Sequence, residues 1–186
     1  MKGVSFFYTG IIRDRLLLPD LAEEMQDICS SLGWHYHYFD AAEPGGLEGI
    51  YFSPENCSPL FLTFDGQDRL LSPISQITCS LLKEKGLKPD PVYGVECSTQ
   101  FAGPDVHITL IRLFRYLAGK YFHDFGLQDT GRYWETGNRE TLEKQFLQGE
   151  KQLIHLRDAL ETLDLPDASG HRSLEEKIEA LLRKKK

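Results

Sequence analysis

Residues 105–122 read DVHITLIRLFRYLAGKYF, with Val106, Leu110, Leu113, Leu117 and Tyr121 recurring at intervals of three and four and Ile111, Phe114 and Ala118 beside them. This spacing predicts a helix whose apolar stripe is too wide for contact with one other helix. Such a stripe needs a broad apolar surface, which a β-sheet supplies. The chain must therefore also build a sheet, and the candidate strands can be read off in turn.

GVSFFYTG (3–10) is a short aromatic run closed by glycine, WHYHYFD (34–40) alternates, and GIYF (49–52) precedes the breaker SPENCSP. LFLTFDGQDRLL (60–71) carries two β-favouring runs around Asp65-Gly66, a pair suited to a tight hairpin because both positions take positive φ. VYGVECSTQF (92–101) and a segment at roughly 126–135 complete the set. Between them, Leu21, Met25, Ile28 and Leu32 mark one helix after Pro19. Ser72, as N-cap before Pro73, opens another with Ile74, Ile77 and Leu81 on one face.

The resulting order is β-α-β-β-β-β-α followed by β-α-β-α-α. It predicts an α+β fold of two layers, a mixed or mainly antiparallel sheet with helices on one face, plus a C-terminal helical extension. The expected domain is 1–137, with halves 1–86 and 92–137 both starting strand-helix-strand, which raises a duplicated β-α-β unit. LKPDP (87–91) separates them, and helices in 138–186 pack on the whole. From 138 to 163, Leu142, Phe146, Gly149, Leu153, Leu156, Leu160 and Leu163 hold an unbroken heptad spacing. Gly149 on that seam weakens the helix by about 1 kcal/mol relative to alanine, so a close approach by another group is expected there. A last amphipathic helix is expected at 173–186, opened by Ser173 and Glu176 at capping-box spacing.

Composition excludes several classes. Hydrophobic residues make up 41% of the 186, enough for a packed core. The net charge is −7, all of it on residues 1–103, which carry 14 acids against 7 bases. Such a surface does not displace counterions from nucleic acid, so no nucleic-acid partner is expected. No apolar run reaches a membrane span and the N-terminus meets Arg13 and Asp14 early, so a cytoplasmic protein without membrane contact is expected. Cys29, Cys57, Cys79 and Cys97 show no zinc or redox spacing. His35 and His37 share one strand face but lack a third ligand, so neither metal nor cofactor is expected.

The densest chemistry lies in FHDFGLQDTGRYWETGN (122–138) and in the corner STQFAGPDVH (98–107). If the strands carrying them are neighbours, Gln100, Asp105, His107, Asp129, Tyr133, Trp134 and Glu135 converge at one sheet edge. Acceptors, an aromatic wall and an imidazole would suit a small polar ligand or a protein or peptide segment. Ordinary structural roles compete at each position. Asp105 is placed to start a helix, His107 to edge an apolar face, and strand alternation puts Tyr133 and Trp134 on opposite faces. The expectation is a non-enzymatic ligand- or protein-binding module at the 99–107/129–136 corner. The alternatives are a small metal-independent enzyme using His107 as base with Glu135 or Asp129 orienting it, and a homodimeric structural protein built on 138–163. No nucleophile elbow, phosphate loop or metalloprotease motif is present in the sequence.

Overall fold

The computed structural model describes residues 3–40 and 46–161. The described chain runs β1 (Ser5–Ile12), α1 (Leu18–Leu32), β2 (His35–Phe39), β3 (Glu48–Ser53), β4 (Leu60–Phe64), α2 (Pro73–Glu84), β5 (Val95–Ser98), α3 (Pro104–Tyr121), β6 (Phe122–Asp129), α4 (Tyr133–Thr136) and α5 (Arg139–Glu161). The helix expected at 173–186 lies outside the described residues. The fold is α+β. Its strands form two antiparallel sheets of three, ordered β5-β1-β6 and β2-β3-β4.

Two sheets arise instead of one because β1 has a partner on each side, so β4 cannot pair with it along its length. The outer edge of β4 is satisfied differently. The Tyr8 hydroxyl donates to the Phe61 carbonyl and accepts from the Phe61 N–H, both at 3.0 Å. Leu70 N–H donates to the Gly10 carbonyl at 2.8 Å, and Ile12 N–H to Asp68 at 3.0 Å, carrying the seam to the far end. Buried backbone groups need partners, and one phenol in the core supplies two. Burial pushes the Tyr8 phenol well above its usual range, so it remains a donor.

The residues expected to make a tight hairpin at Asp65-Gly66 do reverse the chain, with a loop one residue longer than a two-residue turn: Asp68 N–H donates to the Asp65 carbonyl at 3.1 Å, and Asp65 N–H to the Arg69 carbonyl at 3.0 Å. The Asp65 carboxylate accepts from the N–H groups of Gln67 and Arg69 at 2.9 and 3.0 Å and pairs with the Arg69 guanidinium at 2.7 Å. That local capture opens a longer loop in which Asp68, at φ 63°, takes the left-handed conformation. Beyond it, Arg69 and Leu70 make isolated bridges to Ile11 and Phe64, and Leu71 N–H donates to the Thr63 carbonyl at 2.9 Å.

α3 lies on the first sheet as its wide stripe requires. Phe114 stands 5.6 Å from the Phe6 ring and 4.4 Å from Tyr8. Leu110, Ile111 and Leu117 are fully buried, each contributing roughly 1.5–3 kcal/mol of transfer free energy. α1 packs on β3 through Leu18, Leu21 and Met25. Glu24 on α1 accepts from Tyr116 and Tyr121 of α3, both at 2.6 Å, and pairs with Lys120, so the two helices share one side of the molecule.

α2 departs from this pattern. Ser72 caps it, accepting from Ser75 N–H at 3.1 Å, but only Cys79 is buried. Ile74, Ile77 and Leu81 are each more than half exposed, as are Leu87 and Val92 just beyond. The chain divides into two compact units, the first ending at Glu150. Within it Leu142 and Phe146 of α5 join the core, and a Cβ on Gly149 would stand 2.4 Å from Gln100 Oε1. The close approach expected at that glycine is therefore the Gln100 side chain. In the second unit, Leu153 and Ile154 are exposed. No helix among the described residues is long and apolar enough to cross a membrane.

Candidate functional site

β1 sets the corner. Its Ser5 faces Ser98 at the end of β5, and its Phe6 faces Asp129 at the end of β6. The strands bearing the two polar segments are thus both neighbours of β1. The chain leaves β5 through a turn in which Ala102 N–H donates to Thr99 at 3.0 Å, then enters α3. One turn into α3, His107 points down between the strand ends, edge-on to the rings of Phe6 at 5.7 Å and Phe146 at 6.0 Å.

Three polar groups meet there. His107 Nδ1 lies 2.8 Å from Thr99 Oγ1, and His107 Nε2 lies 3.2 Å from Asp129 Oδ2. A carboxylate only accepts, so Nε2–H is the donor on that side. Asp129 also collects backbone donors. Its Oδ1 accepts from Gly131 N–H at 2.7 Å, and its Oδ2 from Tyr133 N–H at 2.7 Å and Trp134 N–H at 2.9 Å. Burial works to raise the Asp129 pKa. The hydrogen bond and charge of His107 and these backbone donors outweigh it and hold the carboxyl below its usual range.

The same donors correct the strand expected at 126–135. β6 stops at Asp129 because its carboxylate gathers the next N–H groups into a turn, which starts α4 at Tyr133. Tyr133 and Trp134 therefore sit on a helical turn instead of alternating across a strand. Tyr133 is buried. Trp134 is half-buried, with the Arg115 guanidinium 5.3 Å above its ring and donating to the Trp134 carbonyl.

The order hydroxyl, imidazole, carboxylate is the contact sequence of an activated nucleophile. Its setting is different. The side chains of His107 and Asp129 and the whole of Thr99 are 0% exposed. A base must come within hydrogen-bond reach of the proton it abstracts, so enzymatic use of His107 would require this array to open. As it stands, the array pins the end of β5, the first turn of α3 and the end of β6 together. Every buried polar side-chain atom among the described residues has a hydrogen-bond partner, as a structural network requires.

The seven residues expected to converge are thus sorted by depth. His107 and Asp129 are bonded partners in the core. Gln100 is buried nearby, its Oε1 accepting from Val4 N–H at 2.8 Å. Asp105 is exposed and pairs with Arg139 of α5 at 2.8 Å. Glu135 is exposed at the mouth of a shallow cavity of about 270 Å³, shared with Phe7, Glu96 and Gln128. A second cleft, of about 440 Å³, opens between the 100–104 turn and α5, and is lined by Phe101, Pro104, Phe146 and Leu147 with Glu143 and Glu150. Phe101 is 74% exposed on its edge, and Leu147 is also exposed.

Sequence reasoning missed Thr99, Phe101 and the α5 wall of the cleft. Asp129 followed by Thr130-Gly131 is a legible Asx-turn signal; the pairing of the 100–104 turn with α5 has no local signal. Comparisons with protein-family models, with curated proteins and with solved structures find no match for this chain.

Proposed function

We propose that this chain is a non-enzymatic binding module, and that its surface is the cleft between residues 100–104 and α5. The observation that carries the reading is Phe101. It is a large aromatic left 74% exposed on the rim of a concave surface, beside exposed Leu147. Aromatic side chains in such positions supply most of the energy at protein interfaces. The acids Glu143 and Glu150 line the same cleft, and the net charge is −7. An apolar floor with acidic edges complements a peptide segment that carries an apolar side chain between lysines or arginines. The Thr99–His107–Asp129 array serves this surface indirectly, by fixing the turn from which Phe101 projects.

The test uses fluorescent peptides with Leu or Phe flanked by Lys or Arg, followed by anisotropy at several salt concentrations. Phe101→Ser is expected to weaken binding by about 30-fold, the size of a hot-spot truncation. Its thermal midpoint should stay within about 2 °C of wild type, since an exposed side chain contributes little to folding. Glu150→Lys should weaken binding and flatten its salt dependence. Binding by no member of the set, or equal binding to Phe101→Ser, would reject the cleft as the site.

A second reading has its own observation. Ile74, Ile77 and Leu81 share one outward helix face, and Leu87 and Val92 beyond it are also exposed, a concentration of apolar side chains of the kind that marks contacts between proteins. If it joins two copies of this chain, light scattering should give a dimer that Ile77→Glu converts to monomer without lowering the thermal midpoint. A monomeric wild type would end that reading.

A further inference from the structure

Cys57 and Cys97 are 40 residues apart in the sequence and lie side by side in the fold. Cys57 belongs to the connection between β3 and β4, where its N–H donates to Pro54 at 3.2 Å. The next residue docks on β5: Ser58 N–H donates to the Ser98 carbonyl at 3.0 Å, and the Cys97 thiol lies 3.5 Å from the Ser58 carbonyl. The Cys97 S–H is directed at the Ser58 carbonyl, and the Cys57 and Cys97 side chains are close enough to influence each other's ionisation. Neither forms a disulfide here. Cys57 is half-buried, whereas Cys97, Cys29 and Cys79 are buried.

These positions give the two thiols different chemistry. The neighbouring Cys97 side chain draws the Cys57 pKa below its usual value against the effect of burial. The same proximity, with burial, pushes the Cys97 thiol up. Cys57 is thus the thiol that ionises first and the one with access to solvent. Ionisation and access are the two conditions for a reactive cysteine, and a second thiol in contact can resolve the oxidised product.

We propose that Cys57 and Cys97 form a reactive dithiol that a hydroperoxide oxidises to an intramolecular disulfide. The Cys57 thiolate attacks one peroxide oxygen, the O–O bond breaks, and the leaving hydroxide takes a proton to become water. Cys57 is then a sulfenic acid. The Cys97 sulfur attacks the Cys57 sulfur, the S–O bond breaks, and the departing hydroxide leaves as water with the Cys97 proton. In sum, two thiols lose two electrons and hydrogen peroxide gains them, giving two waters. The bond would join the second sheet's β3–β4 connection to the first sheet's β5, just ahead of the turn that bears Phe101.

The test treats the reduced full chain with near-stoichiometric hydrogen peroxide, then alkylates it under denaturing conditions with N-ethylmaleimide. The reduced protein takes four adducts, one for each cysteine. The oxidised protein should take two, and proteolysis should yield one cross-linked peptide containing Cys57 and Cys97. Its thermal midpoint should rise by roughly 5–15 °C, as expected for a bridge closing a loop of this length. In Cys57→Ser the three remaining thiols should all be alkylated after the same treatment. Four adducts after peroxide, a Cys57 sulfinic acid without a cross-link, a bridge between other cysteines, or thiol loss persisting in Cys57→Ser would each overturn the proposal.

Discussion

Asp129→Ala should lower the thermal midpoint by roughly 10 °C or more, corresponding to about 3–5 kcal/mol for removing a buried carboxylate from the donors bonded to it. The cost follows from what the carboxylate holds. Removing it strands three backbone donors, those of Gly131, Tyr133 and Trp134, together with His107 Nε2–H. Each buried donor left without a partner costs on the order of 1–3 kcal/mol, less whatever water can reach. Thermal unfolding followed by circular dichroism measures the effect. A drop of less than about 3 °C would show that the array does not pin the corner. The pH dependence provides a second readout with a defined sign. The folded Asp129 carboxyl titrates below its unfolded value of about 3.9. Its contribution is therefore complete above about pH 4 and is lost as pH falls through the folded value. The stability gap between wild type and Asp129→Asn should narrow below pH 4 and stay level above it.

Gly49→Ala should be worse still. Gly49 sits in β3, the middle strand of the second sheet, at φ 138°. A Cβ built there would lie 2.0 Å from the Leu62 carbonyl oxygen and 3.0 Å from the Thr63 Cα. Both are backbone atoms of the paired strand, so no rotamer change relieves the overlap. Relief requires β3 and β4 to separate around Ile50 and Leu62, which are fully buried. The expected cost exceeds about 4 kcal/mol, combining backbone strain with lost packing. The variant should fail to give a cooperative melt near the wild-type midpoint. Gly119→Ala serves as a control of opposite sign. It is exposed in α3 with nothing within 4 Å of its Cβ position, and should gain up to about 1 kcal/mol from helix propensity. A Gly49→Ala midpoint within about 3 °C of wild type would show that the strand can shift to admit the methyl group.

The two variants probe different depths of the same question. Gly49 reports on whether the second sheet exists as described, and Asp129 on whether the first sheet, α3 and α4 are joined by one polar network. Neither Gly49 nor Asp129 lines the cleft of Phe101, Leu147 and Glu150, and Asp129 reaches it only through His107 and Thr99. A peptide-binding defect in Phe101→Ser with an unchanged melt would therefore separate a recognition role from a folding role.

What the sequence by itself determined was local. The three- and four-residue recurrence through 106–121 specified a helix that lies on a sheet. Ser72 specified where α2 begins, and the aromatic and β-branched runs specified most of the strands. Gly149 on an apolar seam announced that another group approaches the helix closely. These features are legible because their physics acts within a few residues: backbone periodicity, capping and steric access.

Tertiary structure decided the rest. Asp65-Gly66 looks like a two-residue turn until Asp68 takes the left-handed conformation and lengthens the loop by one, and 126–135 looks like one strand until the Asp129 carboxylate gathers the N–H groups after it. His107, read along the helix alone, edges the apolar face; the ends of β5 and β6 on either side of β1 enclose it. Ile74, Ile77 and Leu81 share a face by spacing, yet spacing does not say whether a face is covered. Cys57 and Cys97 acquire a relationship only when the β3–β4 connection docks on β5. In each case the deciding partner is a group whose direction or distance in the fold no local pattern encodes, and its hydrogen bonds or burial outweigh a local preference of about 1 kcal/mol or less.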